Sequence, residues 1–260
     1  IPLGITFYGW KWTEELAYER GSVAFAALAS DSKQALLHRL DSYSQGLNGA
    51  AGLFEASDSV SAADWRAYVN ALDIGQTLPG INGMGVIYDV SDQELDEFAA
   101  RMSAAGVEDL MVHPSGAGHS QHFIISYIEP LEPNLAARGL DISSENNRRA
   151  AAERARNTGL PTITRRLHLV QDEIQRAGFL LLRPFYAAVD PVDAPQQRAA
   201  AFEGWVYAPF VAERFMDELT SSQGDTLEIK VFDGAAPDDA LLIYSSLSET
   251  AAAVPTYEIT

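Results

Sequence analysis

Cysteine is absent from the 260-residue chain. That excludes disulfides, thiolate catalysis and cysteine-ligated zinc or iron–sulfur sites. No apolar run reaches the roughly 18–20 residues of a membrane span. Basic residues are scarce: 18 Lys and Arg stand against 36 Asp and Glu, for a formal net charge of −18. Such a surface repels nucleic acid, whose binding needs cations against phosphates, so no nucleic-acid partner is expected. It repels an anionic membrane surface for the same reason. Reaction signatures are missing as well. There is no HExxH zinc motif and no P-loop lysine. "HPSGAG" is not the GxSxG of a serine nucleophile.

Proline is missing from Glu14 to Ala56. Within that stretch Phe25, Leu28, Ser32, Leu36, Leu40, Tyr43, Leu47, Ala50 and Phe54 recur in steps of three and four, the helical period. A pattern this long predicts a stalk helix of roughly 60 Å, with a dimer seam along it. Two ordinary helices are the plainer alternative. The apolar start "IPLGITFYGWKW" reads either as a strand or as the end of a transmembrane helix, with Trp10 and Trp12 at the interface.

Short elements follow. Ser61 with Asp64 predicts a capped helix, and Ser91 with Glu94 another, which Gly106 stops. "GMGVIYDV", "DLMVH", "HFIISYIEP", "GFLLLRPFYAAV" and "FEGWVYAPF" read as strands, and "VDAPQQRAAA" as a linker. "DTLEIKVFDG" and "DALLIYSS" read as a hairpin. The expected fold class is α+β: a long N-terminal stalk helix, then two tandem modules with antiparallel sheets. The expected boundaries are 1–62 for the stalk, 63–190 for the first module, and 191–260 for the linker and second module.

The segment 143–161 is closely specified. Ser143 or Ser144 is the expected N-cap of a helix rich in alanine, with Glu145 in its first turn. Glu145–Arg149 and Arg149–Glu153 are spaced as ion pairs, and Gly159 and Pro161 end the helix. These features specify a position rather than a reaction. Glu129, Glu132 and Asp141 stand near Arg138, Arg148 and Arg149 in sequence, as surface ion pairs or as a network fixing a loop over a cavity. His113, His119 and His122 lie close enough to ligate zinc, although loop histidines are commonly just exposed. No metal or other cofactor is expected. Asp172 and Glu173 are sequence neighbours expected at the surface. Arg183 interrupts an apolar strand and shares its face with Phe179, Leu181 and Phe185, where it suits a ligand carboxylate or phosphate, or else a solvated strand end or a buried ion pair.

"SYIEPLEPNLAARGLDISSENNRRAAAERARNTGLPTITRRLHLVQD", "GFLLLRPFYAA" and "FEGWVYAPFVAERFMDELT" together resemble the CHASE family of extracellular sensor domains. The likeness covers about residues 65 to 235 and is carried by "YIEP", by the spacing of Asn134, Ala137, Gly139 and Asp141, by Arg154–Gly159 and by "LVQD". It implies a stalk helix and two PAS-like modules between transmembrane helices, on the periplasmic or extracellular side of the bacterial cell membrane. The modules are named membrane-distal and membrane-proximal, and the ligand goes to the distal one. It also implies a cytoplasmic output, a histidine kinase or a cyclic-dinucleotide enzyme. Plant members bind cytokinins through an aspartate near the start of the pocket helix. That position falls on Arg148, a donor-only cation, which departs from adenine recognition. Other pocket positions fall on Val170 and Leu182. The resulting ligand-binding set is Tyr127, Asp141, Arg148, Thr164, Val170, Leu182 and Arg183. Arg148 and Arg183 together imply an anionic ligand, and the apolar positions a planar one. No catalytic residue is expected. The competing readings are a dimerisation module with a vestigial pocket and a metal-dependent enzyme built on the three histidines.

Overall fold

The computed structural model describes residues 2–114, 120–187, 194–221 and 228–246. The proline-free stretch forms a single helix, α1 (Pro2–Glu55), which runs through the apolar start as well. Among its described side chains Tyr43, Leu47, Ala50, Ala51 and Phe54 are buried, with Leu36, Leu40 and Leu53 partly buried against the same core, so the expected stripe packs in its C-terminal part. Helices α2 (Ala62–Leu72) and α3 (Ile74–Thr77) follow. The Ser61–Asp64 capping box opens α2: Ser61 Oγ accepts from the Asp64 amide at 3.2 Å, and the Asp64 carboxylate accepts from the Ser61 amide at 3.0 Å. These bonds satisfy amides that a helix start leaves without partners.

The main sheet is built from β1 (Met84–Ser91), β2 (Gln121–Glu129), β3 (Thr162–Ile163), β4 (Leu167–His168), β5 (Ala177–Tyr186) and β6 (Phe202–Val211). Its order is β2-β1-β6-β5-β3, with β4 also on β5, and every pairing is antiparallel. Helix α4 (Leu95–Ala104) connects β1 to β2, and α5 (Asn146–Thr158) lies between β2 and β3. Helix α6 (Pro195–Ala201) occupies most of the segment expected as a linker. Helix α7 (Ala212–Ser221) leads to a small hairpin of β7 (Lys230–Phe232) and β8 (Leu242–Ser245), as the sequence predicts.

Two expectations change here. No strand forms at "DLMVH"; His113 makes only an isolated bridge to Leu140. The first sheet also does not stop near residue 190. Strand β6 lies between β1 and β5, so a division at 190/191 would cut the sheet. Sequence order hides this, because an antiparallel sheet can insert a late strand between earlier ones.

The sheet is buried on both faces. One face holds Phe179, Leu181, Phe185, Val206, Ala208 and Phe210, and packs on α1, α2 and α4. The other holds Ile87, Leu180, Leu182, Trp205 and Tyr207, and packs on α5. Alternation along each strand sorts these sets, since successive side chains point to opposite faces. The second sheet is tied to the first through Asp233, which accepts from the Arg166 amide at 2.9 Å and pairs with Arg165 at 3.3 Å.

Candidate functional site

Helix α5 begins one residue later than the two serines suggest. Its N-cap is Glu145, whose carboxylate accepts from the amides of Asn147 and Arg148 at 2.8 and 3.0 Å. Ser143 Oγ instead donates to Gln121 O, and Ser144 Oγ to Asp141 O. Glu145 is therefore not the partner of Arg149, which pairs with Glu153 at 3.5 Å. Gly159 closes the helix with φ +74°, the left-handed stop the sequence predicts. The face turned to the sheet carries Arg148, Ala151, Ala152 and Ala155. Small alanines let α5 lie close, and Trp205 Nε1 donates to Ala152 O at 2.9 Å.

Beneath the start of α5, a cross-strand row runs Gly85, Tyr207, Leu182 over β1, β6 and β5. A Cβ on Gly85 would stand 2.5 Å from Cε1 of Tyr207, so the missing side chain makes room for that ring. Tyr207 is 1% exposed and Arg148 8%. The Tyr207 hydroxyl and Arg148 Nε are both buried without a hydrogen-bond partner among the described residues. Arg148 spends one bond on His168 O, at 2.8 Å, and sits 3.9 Å from Glu145. Burial lowers the Arg148 pKa, opposed by Glu145 and Tyr207. Burial raises that of Tyr207, opposed by Arg148. The two groups thus stand together in a buried place, the hydroxyl neutral and the guanidinium charged. What they offer is a cation and a hydroxyl, both able to donate to an acceptor.

The other sequence-predicted positions separate. Leu182 lies in the floor under α5. Thr164 pairs doubly with Leu180: its amide donates to Leu180 O and its Oγ1 accepts from the Leu180 amide, both at 2.9 Å. Asp141 is fully buried, and its carboxylate accepts from the amides of Phe123 and Ser143, each at 2.9 Å. Tyr127 belongs to the opposite face, where its hydroxyl donates to Val60 O at 3.0 Å. Arg183 also faces the stalk, donating to Asn48 Oδ1 at 2.7 Å. Arg148 and Arg183 therefore do not converge on one ligand. Residues 182 and 183 point oppositely because they are neighbours on one strand. Val170 is 44% exposed. Tyr207, which sequence reasoning missed, is the residue that joins Arg148.

The two described histidines of this set have separate partners. His113 Nε2 lies 3.2 Å from Arg138 O, His119 falls outside the described residues, and His122 is held between Asp92 and Asp141. Among the described residues no group of three or more His, Asp or Glu is placed to hold a metal ion. The expected acidic–basic network also divides differently, with Glu129 paired to Arg66 at 3.0 Å. Asp172, expected at the surface, is buried and holds Arg176 at 2.7 Å. A separate cleft of about 330 Å³ lies among Arg176, Glu213, Asp217, Ile243 and Tyr244, and its Arg176 is already paired with Asp172 and Glu213.

Residues 58–244 match the family model described as CHASE domain. The chain belongs to the CHASE domain family. No curated protein matches it. Among solved structures, an extracellular ligand binding receptor from Desulfohalobium retbaense is similar at 13% identity and a TM-score of 0.49, over 79% of this chain and 28% of that one. This CHASE domain thus spans under a third of the receptor's length. Among the described residues, no helix is long and apolar enough to cross a membrane.

Proposed function

We propose that this CHASE domain is the ligand-sensing part of a transmembrane receptor, placed on the periplasmic or extracellular side and without catalytic activity of its own. In this reading a small anionic molecule binds between α5 and the sheet, in a PAS-like distal module. Arg148 and Tyr207 take its acidic group, and Leu182 lies against its apolar body. The signal passes through flanking membrane helices to a cytoplasmic histidine kinase or cyclic-dinucleotide enzyme, from a homodimer formed along α1. The observation that carries the binding site is the pair of buried, unpartnered donors under α5. Buried polar groups are nearly always paired, so two adjacent exceptions ask for a missing acceptor.

The test compares wild type with Arg148→Met and Tyr207→Phe in a thermal-shift panel of small carboxylates and phosphomonoesters. A binder at a hundred times its Kd adds about 2.7 kcal/mol to the wild type. Both variants should lose that response. Their own melting temperatures should stay level or rise, because each loses a buried group that lacks a full set of partners. A collapse of both melting temperatures with the ligand response intact would make the pair structural and sink the proposal.

A further inference from the structure

His122 sits on β2 with its side chain 7% exposed and both ring nitrogens on carboxylates. Nδ1 is 2.7 Å from Asp141 Oδ2, and Nε2 is 2.7 Å from Asp92 Oδ1. A neutral imidazole carries one N–H and one lone pair. In that state one nitrogen would point a lone pair at an anionic oxygen. With both carboxylates ionised, the geometry is satisfied by the imidazolium, which donates from both sides.

We propose that His122 is a proton-dependent latch. Protonated, it ties the turn after β1, through Asp92, to the loop that leads into α5, through Asp141. Deprotonated, it keeps the bond to the buried Asp141 and lets go of Asp92. Asp92 is the arm that opens because its side chain is 59% exposed and rehydrates cheaply, whereas that of Asp141 is fully buried. The turn is short and closely built, with the Asp92 amide donating to Ser120 O at 3.1 Å and Ser91 and Glu94 capping each other.

The charged groups on the neighbouring elements are engaged elsewhere. Asp89 on β1 is paired with Arg156 of α5 at 3.0 Å. Glu94 is held by Ser91 at 2.5 Å. Arg149 of α5 donates to Ser143 O and Gln121 O and lies over the Phe123 ring, with Glu153 as its ion-pair partner. Among the described residues only Asp92 and Asp141 bond the ring itself.

Burial works against the charged imidazole, but the two carboxylates outweigh it and raise the His122 pKa above its ordinary value. Asp141 is lowered despite its burial, by Ser143, His122 and the Phe123 amide. The latch therefore adds stability that is full below about pH 6.5 and fades as pH rises through the folded His122 value. The Asp141 contribution is present above about pH 4 and is lost as pH falls through its own lowered value. The latch is closed between the lowered Asp141 value and the raised His122 value.

Only the link to ligand rests on the α5 reading: the loop held by Asp141 runs into Glu145 and Arg148. The latch is tested without ligand, on the whole isotope-labelled chain. The experiment is a pH titration of the His122 ring nitrogens and the Asp92 amide by NMR, in wild type and Asp92→Asn. The wild-type ring should titrate with a midpoint above the ordinary value of about 6.5, with both nitrogens protonated below that midpoint. The Asp92 amide should move with the ring's midpoint while the Phe123 amide stays put. Asp92→Asn, an exposed change that spares the fold, should lower the midpoint by roughly 1 unit. A midpoint at or below about 6.5, or one indifferent to Asp92→Asn, overturns the latch.

Discussion

Arg148 is a cation in a place that discourages cations. It is buried, its pKa is pushed down, and its nearest carboxylate is 3.9 Å away and already occupied in capping α5. Removing one partner of a buried set is normally costly. Here the partner set is incomplete from the start, which is why Arg148→Met should cost little in stability and much in binding. Gly85 belongs to the same logic. A side chain there would meet both the Tyr207 ring and the Tyr127 carbonyl oxygen, each 2.5 Å from its Cβ. Gly85→Ala is expected to lose about 1–3 kcal/mol through overpacking, read as a lower denaturant midpoint, and to weaken ligand response along with it. An unchanged midpoint would mean that the ring can move aside freely. Arg148 was reachable from the sequence through its place in the helix start. Tyr207 was not, since its role depends on the register that sets Gly85, Tyr207 and Leu182 in one row, and register is a tertiary fact.

At the scale of the element, α5 shows where local rules hold and where they compete. Alanine content, the Gly159 stop and the helical span were all legible before the fold. The cap was not: the sequence offers Ser143 or Ser144, and the loop gives those serines other duties. Asp141 anchors Phe123 and Ser143, the serines bond backbone carbonyls, and Glu145 is left to cap. Glu145→Ala should therefore destabilise by about 1 kcal/mol, or roughly 2–4 °C in Tm. Ser144→Ala should do so less. The reverse order would return the cap to the serine. Stalk helix α1 was legible for the simpler reason that its period is long and uninterrupted. The place of β6 in the sheet was not, since "FEGWVYAPF" marks a strand but does not name its neighbours.

Across the whole molecule, one sheet separates two unlike surroundings. The α1 side is aromatic and tightly filled, with Phe179 stacked on Phe210 at 4.9 Å and Arg39 reaching Pro79 O at 2.9 Å. The α5 side holds the unpartnered pair Arg148 and Tyr207, whereas the α1 side has the single indole donor of Trp65 without a partner among the described residues. Further out, α1 exposes Val23 at 70% and Leu37 at 51%. The proposed homodimer would cover such positions. Sedimentation should find a dimer for wild type and a monomer for Val23→Asp/Leu37→Asp, with helix content unchanged. A monomeric wild type removes the seam from the proposal and leaves the binding site standing.

Leu182 and Arg183 are successive residues, yet one touches the floor under α5 and the other grips Asn48 of the stalk. The two environments are thus one peptide bond apart. Anything that lifts or twists β5 at this point reaches α1 without a chain of intermediaries. From Leu47 the helix extends to Pro2, roughly 70 Å away. Over that arm a tilt of a single degree displaces the far end by about 1 Å. The sheet is the fulcrum, and the length that made α1 conspicuous in the sequence is its mechanical gain.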